Sequence, residues 1–178
     1  RASVGVEDPS CGAQIGEVPD CSVAETEAAI AAASAAWPEW RGLTAHGRAI
    51  LLERWHTLVL DHLDDLARIL TAEQGKPFTE AQGEIRYAAS FIKWFAEEGR
   101  RVGGHNVASP EANRRIILLS EPIGVSAAIT PWNFPAQTVI RKCAAALAAG
   151  CTVVLKPSDL TPFTALALGE LAMRAGLP

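Results

Sequence analysis

No basic run in this sequence is longer than a pair: Arg100-Arg101, Arg114-Arg115 and Arg141-Lys142 stand alone, and the net charge is −4. A chain with this balance has no electrostatic footprint for nucleic acid or for an anionic membrane surface. Long apolar runs are missing as well. The longest, Cys143 to Leu155, ends in Lys156 and is too short to span a bilayer. Cysteine is scarce, and no two of Cys11, Cys21, Cys143 and Cys151 have the two-residue gap of a zinc or redox motif. Cys143 sits among alanines and Cys151 opens an apolar stretch, so both read as small buried hydrophobes in a reducing compartment. His46, His56, His62 and His105 show no metal spacing. Arg1 stands where a Met would begin a natural chain, and no charged-then-apolar leader follows it. Together these features predict a soluble, cytoplasmic chain that has lost its natural start, with no metal, nucleic-acid or membrane partner. Internal repeats and low-complexity tracts are also absent.

What is present is ordinary for a globular protein: 178 residues, 49% of them apolar and 20% charged. That length holds one good core, or a small domain with part of another. Before residue 22 the chain is rich in turn formers. Ser22-Val23-Ala24-Glu25 is a capping box opening an alanine-rich helix, which is expected to end near Trp37-Pro38. A second helix begins after Thr44. Leu51, Trp55, Leu58, Val59, Leu63, Leu66 and Leu70 give it one apolar face, and Gly75-Lys76-Pro77 interrupts it. A third carries Ile85, Ala88, Ala89, Ile92 and Phe95 inward and stops near Gly99.

From Val102 the pattern turns to β, with a strand expected over Arg114 to Leu119. Then comes a strand from Gly124 to Ile129, a helix from about Ala136 to Ala149, and Gly150 as its stop. A strand from Cys151 to Leu155 follows, and a last helix that Thr161 caps ahead of Pro162. The predicted class is α/β. Residues 1–101 supply loops and three helices, 102–121 a β-arm, and 122–178 the first β-α-β-α of a doubly wound parallel sheet. Two parallel strands alone leave both sheet edges open, so this piece is expected to belong to something larger.

Chemistry concentrates where the two parallel strands end. Ile129-Thr130-Pro131-Trp132-Asn133-Phe134-Pro135 joins strand to helix at the carboxyl end of the sheet, where open α/β sheets bind their ligands. Asn133 offers two N–H donors without charge, which suits stabilisation of an oxyanion as it forms. It could equally be a turn residue bonded to its own backbone, and Trp132 could be packing in the core. Lys156-Pro157-Ser158-Asp159 leaves the second strand at the same edge. Lys156 could donate to ribose or phosphate and Asp159 accept from a ribose hydroxyl, or Ser158 and Asp159 could be local caps. The glycine-rich Gly-x-Gly-x-x-Gly fingerprint is missing between the first strand and its helix. Arg141, about two turns into that helix, could clamp a carboxylate or simply face solvent.

Taken together these stretches resemble the aldehyde dehydrogenase superfamily, and most closely its succinate-semialdehyde dehydrogenases. The resemblance runs end to end. It is carried by Glu73 to Pro77, Ala88 to Ile92, Trp94 to Gly99, Glu121 to Val125, Ile129 to Pro135, Arg141-Lys142, Ala146 to Thr152, Leu155 to Pro157, and Thr161 to Phe163. It implies an aldehyde-dehydrogenase-like fold and an NAD(P)-dependent oxidation of a small acidic semialdehyde, succinate semialdehyde first. It implies Asn133 as oxyanion donor, Arg141 as a contact for the substrate carboxylate, and a homo-oligomer as the assembled form. The dinucleotide would lie along Ile129, Thr130, Pro131, Trp132 and Asn133 and contact Lys156, Ser158 and Asp159. Where relatives carry Glu or Ser this chain has Asp159, whose charge favours NAD over NADP. The family's nucleophilic cysteine and general-base glutamate map to no residue of this chain, which alone is expected to be an inactive structural or assembly piece.

Overall fold

Ser22 accepts the Ala24 N–H while Glu25 receives the Ser22 N–H, and this capping box starts helix α1, Val23–Gly42. The computed structural model describes residues 2–178. Ahead of α1, β1 (Ser3–Glu7) and β2 (Gln14–Pro19) form an antiparallel hairpin. After it come α2 (Ala45–Asp61), α3 (Leu63–Gln74) and α4 (Phe78–Gly99). A short antiparallel arm follows, β3 (His105–Val107) with β4 (Ile116–Leu118). The chain continues through β5 (Val125–Ile129), α5 (Pro135–Ala148), β6 (Thr152–Lys156) and α6 (Pro162–Ala175).

Three sequence expectations shift. Helix α1 runs through Pro38 to Gly42 instead of stopping at Trp37. The indole N–H of Trp37 donates to the Gly150 carbonyl and that of Trp40 to Leu147, both at 3.1 Å, and these ties outweigh the ladder bond that proline forfeits. The single long second helix is two, so four helices precede the arm. His62, at φ −101° and ψ 22°, leaves the helical region and serves as the last cap of α2 and the first of α3. The strand expected over Arg114–Leu119 narrows to Ile116–Leu118, and all three of its residues are exposed.

The core lies among the helices. Leu52, Val59, Leu66, Leu70, Ile85, Ile92, Ile140 and Leu168 are fully buried in one cluster, and each contributes about 1.5–3 kcal/mol by leaving water. Helix α4 packs most extensively on α5, and its Ala81, Ala88, Ala89 and Ala96 are all buried. At Gly99 an added Cβ would meet the Ala148 Cβ at 3.2 Å, so the contact reaches the end of both helices. Helices α1 and α5 both lie against β5 and β6. Among the described residues no helix is long and apolar enough to cross a membrane.

Candidate functional site

Strands β5 and β6 are parallel and in register from Val125 opposite Thr152 to Ile129 opposite Lys156. The two predicted ligand-binding turns therefore leave the sheet at one edge, side by side. The Thr130 N–H donates to the Lys156 carbonyl at 3.1 Å and extends the ladder one residue further. Beyond it Pro131, Trp132, Asn133 and Phe134 are all exposed. The Asn133 carboxamide makes no hydrogen bond among the described residues, so the turn reading, with Asn bonded to its own backbone, is not what the structure holds. Trp132 is 52% exposed and is not part of the core.

The second turn is polar and open. Lys156 Nζ lies 2.5 Å from Asp159 Oδ1, and both side chains are exposed. Ser158 Oγ accepts the Leu160 N–H at 3.3 Å, the local cap anticipated for it, whereas Asp159 caps nothing. Thr161 does not cap α6 with its side chain. Glu73, from α3, does so instead: its carboxylate accepts the Phe163 N–H at 2.6 Å and the Thr164 N–H at 2.8 Å. Burial raises the Glu73 carboxyl above its ordinary value, and the two backbone donors oppose that rise.

The same device holds α5, directly behind Asn133. Phe134 stands at the N-cap without a polar side chain, and Pro135 at the first helical position has no N–H. The first free donors of α5 are thus on Ala136 and Gln137, and Glu84 Oε1 accepts them at 2.9 and 3.2 Å. Glu84 Oε2 pairs with Lys76 Nζ, and the two side chains are 3% and 11% exposed. Lys76 Nζ also reaches the Asn133 carbonyl at 3.4 Å and sits 4.7 Å from the centre of the Phe134 ring. Neither Lys76 nor Glu84 was singled out from the sequence as a site residue. The available signal was Glu84 itself, a charge on the inward face that Ala81, Ile85 and Ala88 define.

Arg141 is exposed, and its guanidinium carbon lies 5.4 Å from the centre of the Phe91 ring. Tyr87 meets Phe91 edge-on at 4.9 Å, and Phe95 stacks with it at 6.5 Å. No carboxylate pairs with Arg141 among the described residues, so its fork remains available to an anion. The cysteines are elsewhere. Burial pushes the Cys143 thiol up to about 12, which leaves it protonated and unreactive at neutral pH. Cys151 is also buried, while Cys11 and Cys21 are exposed near the amino-terminal hairpin.

A dinucleotide would find suitable partners at the carboxyl edge. The Thr130 hydroxyl, one residue past the end of β5, is buried with no hydrogen-bond partner among the described residues. Lys156 offers a cation, and Asp159 an acceptor for a ribose hydroxyl. A groove of about 560 Å³ reaches this edge at Leu155 and Pro157. Ala29, Ala33, Val153, Leu155, Leu166 and Met173 are among its walls, and it runs along the side of β6. Its lining is mostly apolar, with Thr152 and Glu170 among the few polar members. The converging polar chemistry is at the strand ends, and that, more than volume, locates the candidate site.

Comparison with known proteins gives a consistent result. The family model described as the aldehyde dehydrogenase family matches residues 1–178. An Escherichia coli protein named succinate-semialdehyde dehydrogenase [NADP(+)] GabD is 57% identical over 176 residues, covering 99% of this chain and 36% of its own length. A Pseudomonas putida glutarate-semialdehyde dehydrogenase is 55% identical, with 99% of this chain and 37% of the relative covered. A crystal structure of succinate-semialdehyde dehydrogenase from Burkholderia pseudomallei superimposes with a TM-score of 0.98 at 59% identity, again over 99% of this chain and 37% of that one. The chain thus spans little more than a third of the length of the curated relatives it matches.

Proposed function

Because this chain belongs to the aldehyde dehydrogenase family, we propose that it forms the amino-terminal third of an NAD(P)-dependent enzyme oxidising a small acidic semialdehyde, succinate semialdehyde first, to the acid. One observation carries the proposal. The Asn133 carboxamide is exposed and unpartnered at the carboxyl edge of a parallel sheet, beside the turn that bears Lys156 and Asp159.

Each residue has a task that follows from its chemistry. A thiolate attacking an aldehyde carbonyl leaves the former carbonyl oxygen negatively charged. Asn133 donates N–H to that oxygen, and such a donor is worth about 2.7–4 kcal/mol of barrier in comparable sites. Arg141 receives the far carboxylate of the semialdehyde with its planar fork, supported by the Phe91 ring beneath it. Lys156, Ser158 and Asp159, with the Ile129 to Asn133 backbone and the Thr130 hydroxyl, hold the dinucleotide, which when bound supplies the hydride acceptor. The negative charge of Asp159 disfavours a ribose 2′-phosphate, so NAD is the proposed preference; its pairing with Lys156 keeps that preference small.

The reacting thiol is proposed to come from sequence outside these 178 residues, since Cys143 is held protonated, Cys151 is buried as well, and the resemblance maps the nucleophile to none of the four cysteines. On its own the chain is therefore expected to turn over no aldehyde. The test is an assay of the full-length protein, with the 178-residue chain alongside, for semialdehyde-dependent reduction of NAD and NADP. Succinate semialdehyde should be oxidised faster than an uncharged aldehyde of similar length, and only by the longer protein. Absence of any semialdehyde-dependent reduction would end the proposal.

A further inference from the structure

All three N–H donors of the Lys76 ammonium have an assignment around the Asn133 turn. One meets Glu84 Oε2, one the Asn133 carbonyl at 3.4 Å, and one faces the Phe134 ring, whose centre is 4.7 Å away. Glu84 spends its other oxygen on the first two free amides of α5, those of Ala136 and Gln137. Four of the five residues from Asn133 to Gln137 are thus held by two side chains from one short stretch of chain, Glu84 buried and Lys76 largely so. Lys76 follows Gly75, which ends α3 at φ 86°, and Glu84 lies two turns into α4. A buried ion pair is an uncertain source of stability, because desolvation offsets attraction. This one is also bound to a turn whose N-cap residue, Phe134, has no polar side chain and whose Asn133 carboxamide makes no hydrogen bond among the described residues.

We infer that Lys76 and Glu84 are positioning residues for the Asn133 carboxamide. They hold the peptide between Asn133 and Phe134 in one orientation, so that the N–H donors point to where the oxyanion forms. Lys76 touches no substrate atom and acts only through Asn133. The inference rests on the reading of Asn133 as oxyanion donor, and the two can fail separately.

Four forms of the full-length protein decide the matter: the parent, Lys76→Met, Asn133→Ala and the double variant. Lys76→Met leaves Glu84 bonded to the α5 amides, so the helix cap survives. It is expected to lower kcat about tenfold to a hundredfold, the scale of a misplaced catalytic group. KM for the semialdehyde and for the dinucleotide should change little. In the Asn133→Ala background the same change should lower kcat by no more than about twofold, because the group it positions is gone. Glu84→Gln provides a second cycle should Lys76→Met prove too unstable to purify, with the same loss expected and the same collapse on Asn133→Ala. Multiplicative effects of the two changes, or unchanged kcat in Lys76→Met, would overturn the positioning role. Normal turnover by Asn133→Ala would instead remove the reading of Asn133 on which it rests.

Discussion

The residues that matter most for chemistry are those left unsatisfied. A carboxamide without a partner at Asn133, a guanidinium without a carboxylate at Arg141 and a buried hydroxyl without an acceptor at Thr130 are each costly or idle unless a ligand engages them. Arg141→Leu in the full-length protein is expected to raise KM for succinate semialdehyde on the order of tenfold or more, the value of one charge-assisted pair. KM for an uncharged aldehyde should hardly move, and equal increases for both substrates would remove the carboxylate contact. At the other turn, Asp159→Ser removes a negative charge and frees Lys156 Nζ from its ion pair. The ratio of kcat/KM for NADP over NAD should rise about threefold to tenfold, a modest factor because the pair is exposed. Steady-state kinetics with both dinucleotides measures it, and an unchanged ratio would dismiss Asp159 as a selector.

At the scale of elements, α5 and α6 share one design. Each begins with proline, which removes one unpaired N–H, and each has its next two amides taken by a glutamate from an earlier helix. At its other end α5 is closed by Gly150 at φ 90°, with the Cys151 N–H reaching the Ala146 carbonyl and the Gly150 N–H that of Leu147. Trp37 and Arg48 take the Gly150 and Ala148 carbonyls there, and Trp40 shares that of Leu147. The sequence made several helix ends legible, because Pro135, Pro162, Gly150 and the Ser22 box act locally, whereas Pro38 marks no end. It did not show who caps α5 and α6, because Glu84 and Glu73 act from 52 to 91 residues away. The break at His62 was hidden for a related reason: the apolar spacing of Leu58, Leu63, Leu66 and Leu70 continues across it, and only the backbone records the turn.

Glu73 gives this scale its prediction. Its folded pKa is raised, so the folded state binds its proton more tightly than the unfolded state does. Stability from this group is fully present below the unfolded pKa and is lost as pH rises through the folded one. Relative to Glu73→Gln, the parent protein should therefore gain stability as pH falls from neutral toward the ordinary carboxylate range. Thermal or denaturant unfolding of both proteins across that range tests this, and a difference shrinking with acidification would contradict the raised pKa.

For the whole molecule, the notable surfaces are open ones. The arm presents Ile117 and Leu118, with Leu119 just beyond it, to solvent, and β6 borders an apolar groove between α1 and α6. Relatives almost three times as long supply more chain than is present here, and we propose that such sequence covers these faces and completes the sheet. The arm is proposed to join subunits of an oligomer. What a single sequence conveyed of this was the class of fold and the edge where ligands meet it, through the strand–helix–strand–helix order and the two polar turns. The arrangement of Lys76 and Glu84 behind that edge depends on how α4 packs against α5, which spacing along one helix does not encode. Everything functional converges on the donor they hold, so the most direct measurement is the turnover of Asn133→Ala in the full-length protein with succinate semialdehyde. A fall in kcat on the order of a hundredfold or more is predicted, whereas turnover equal to the parent's would contradict the account.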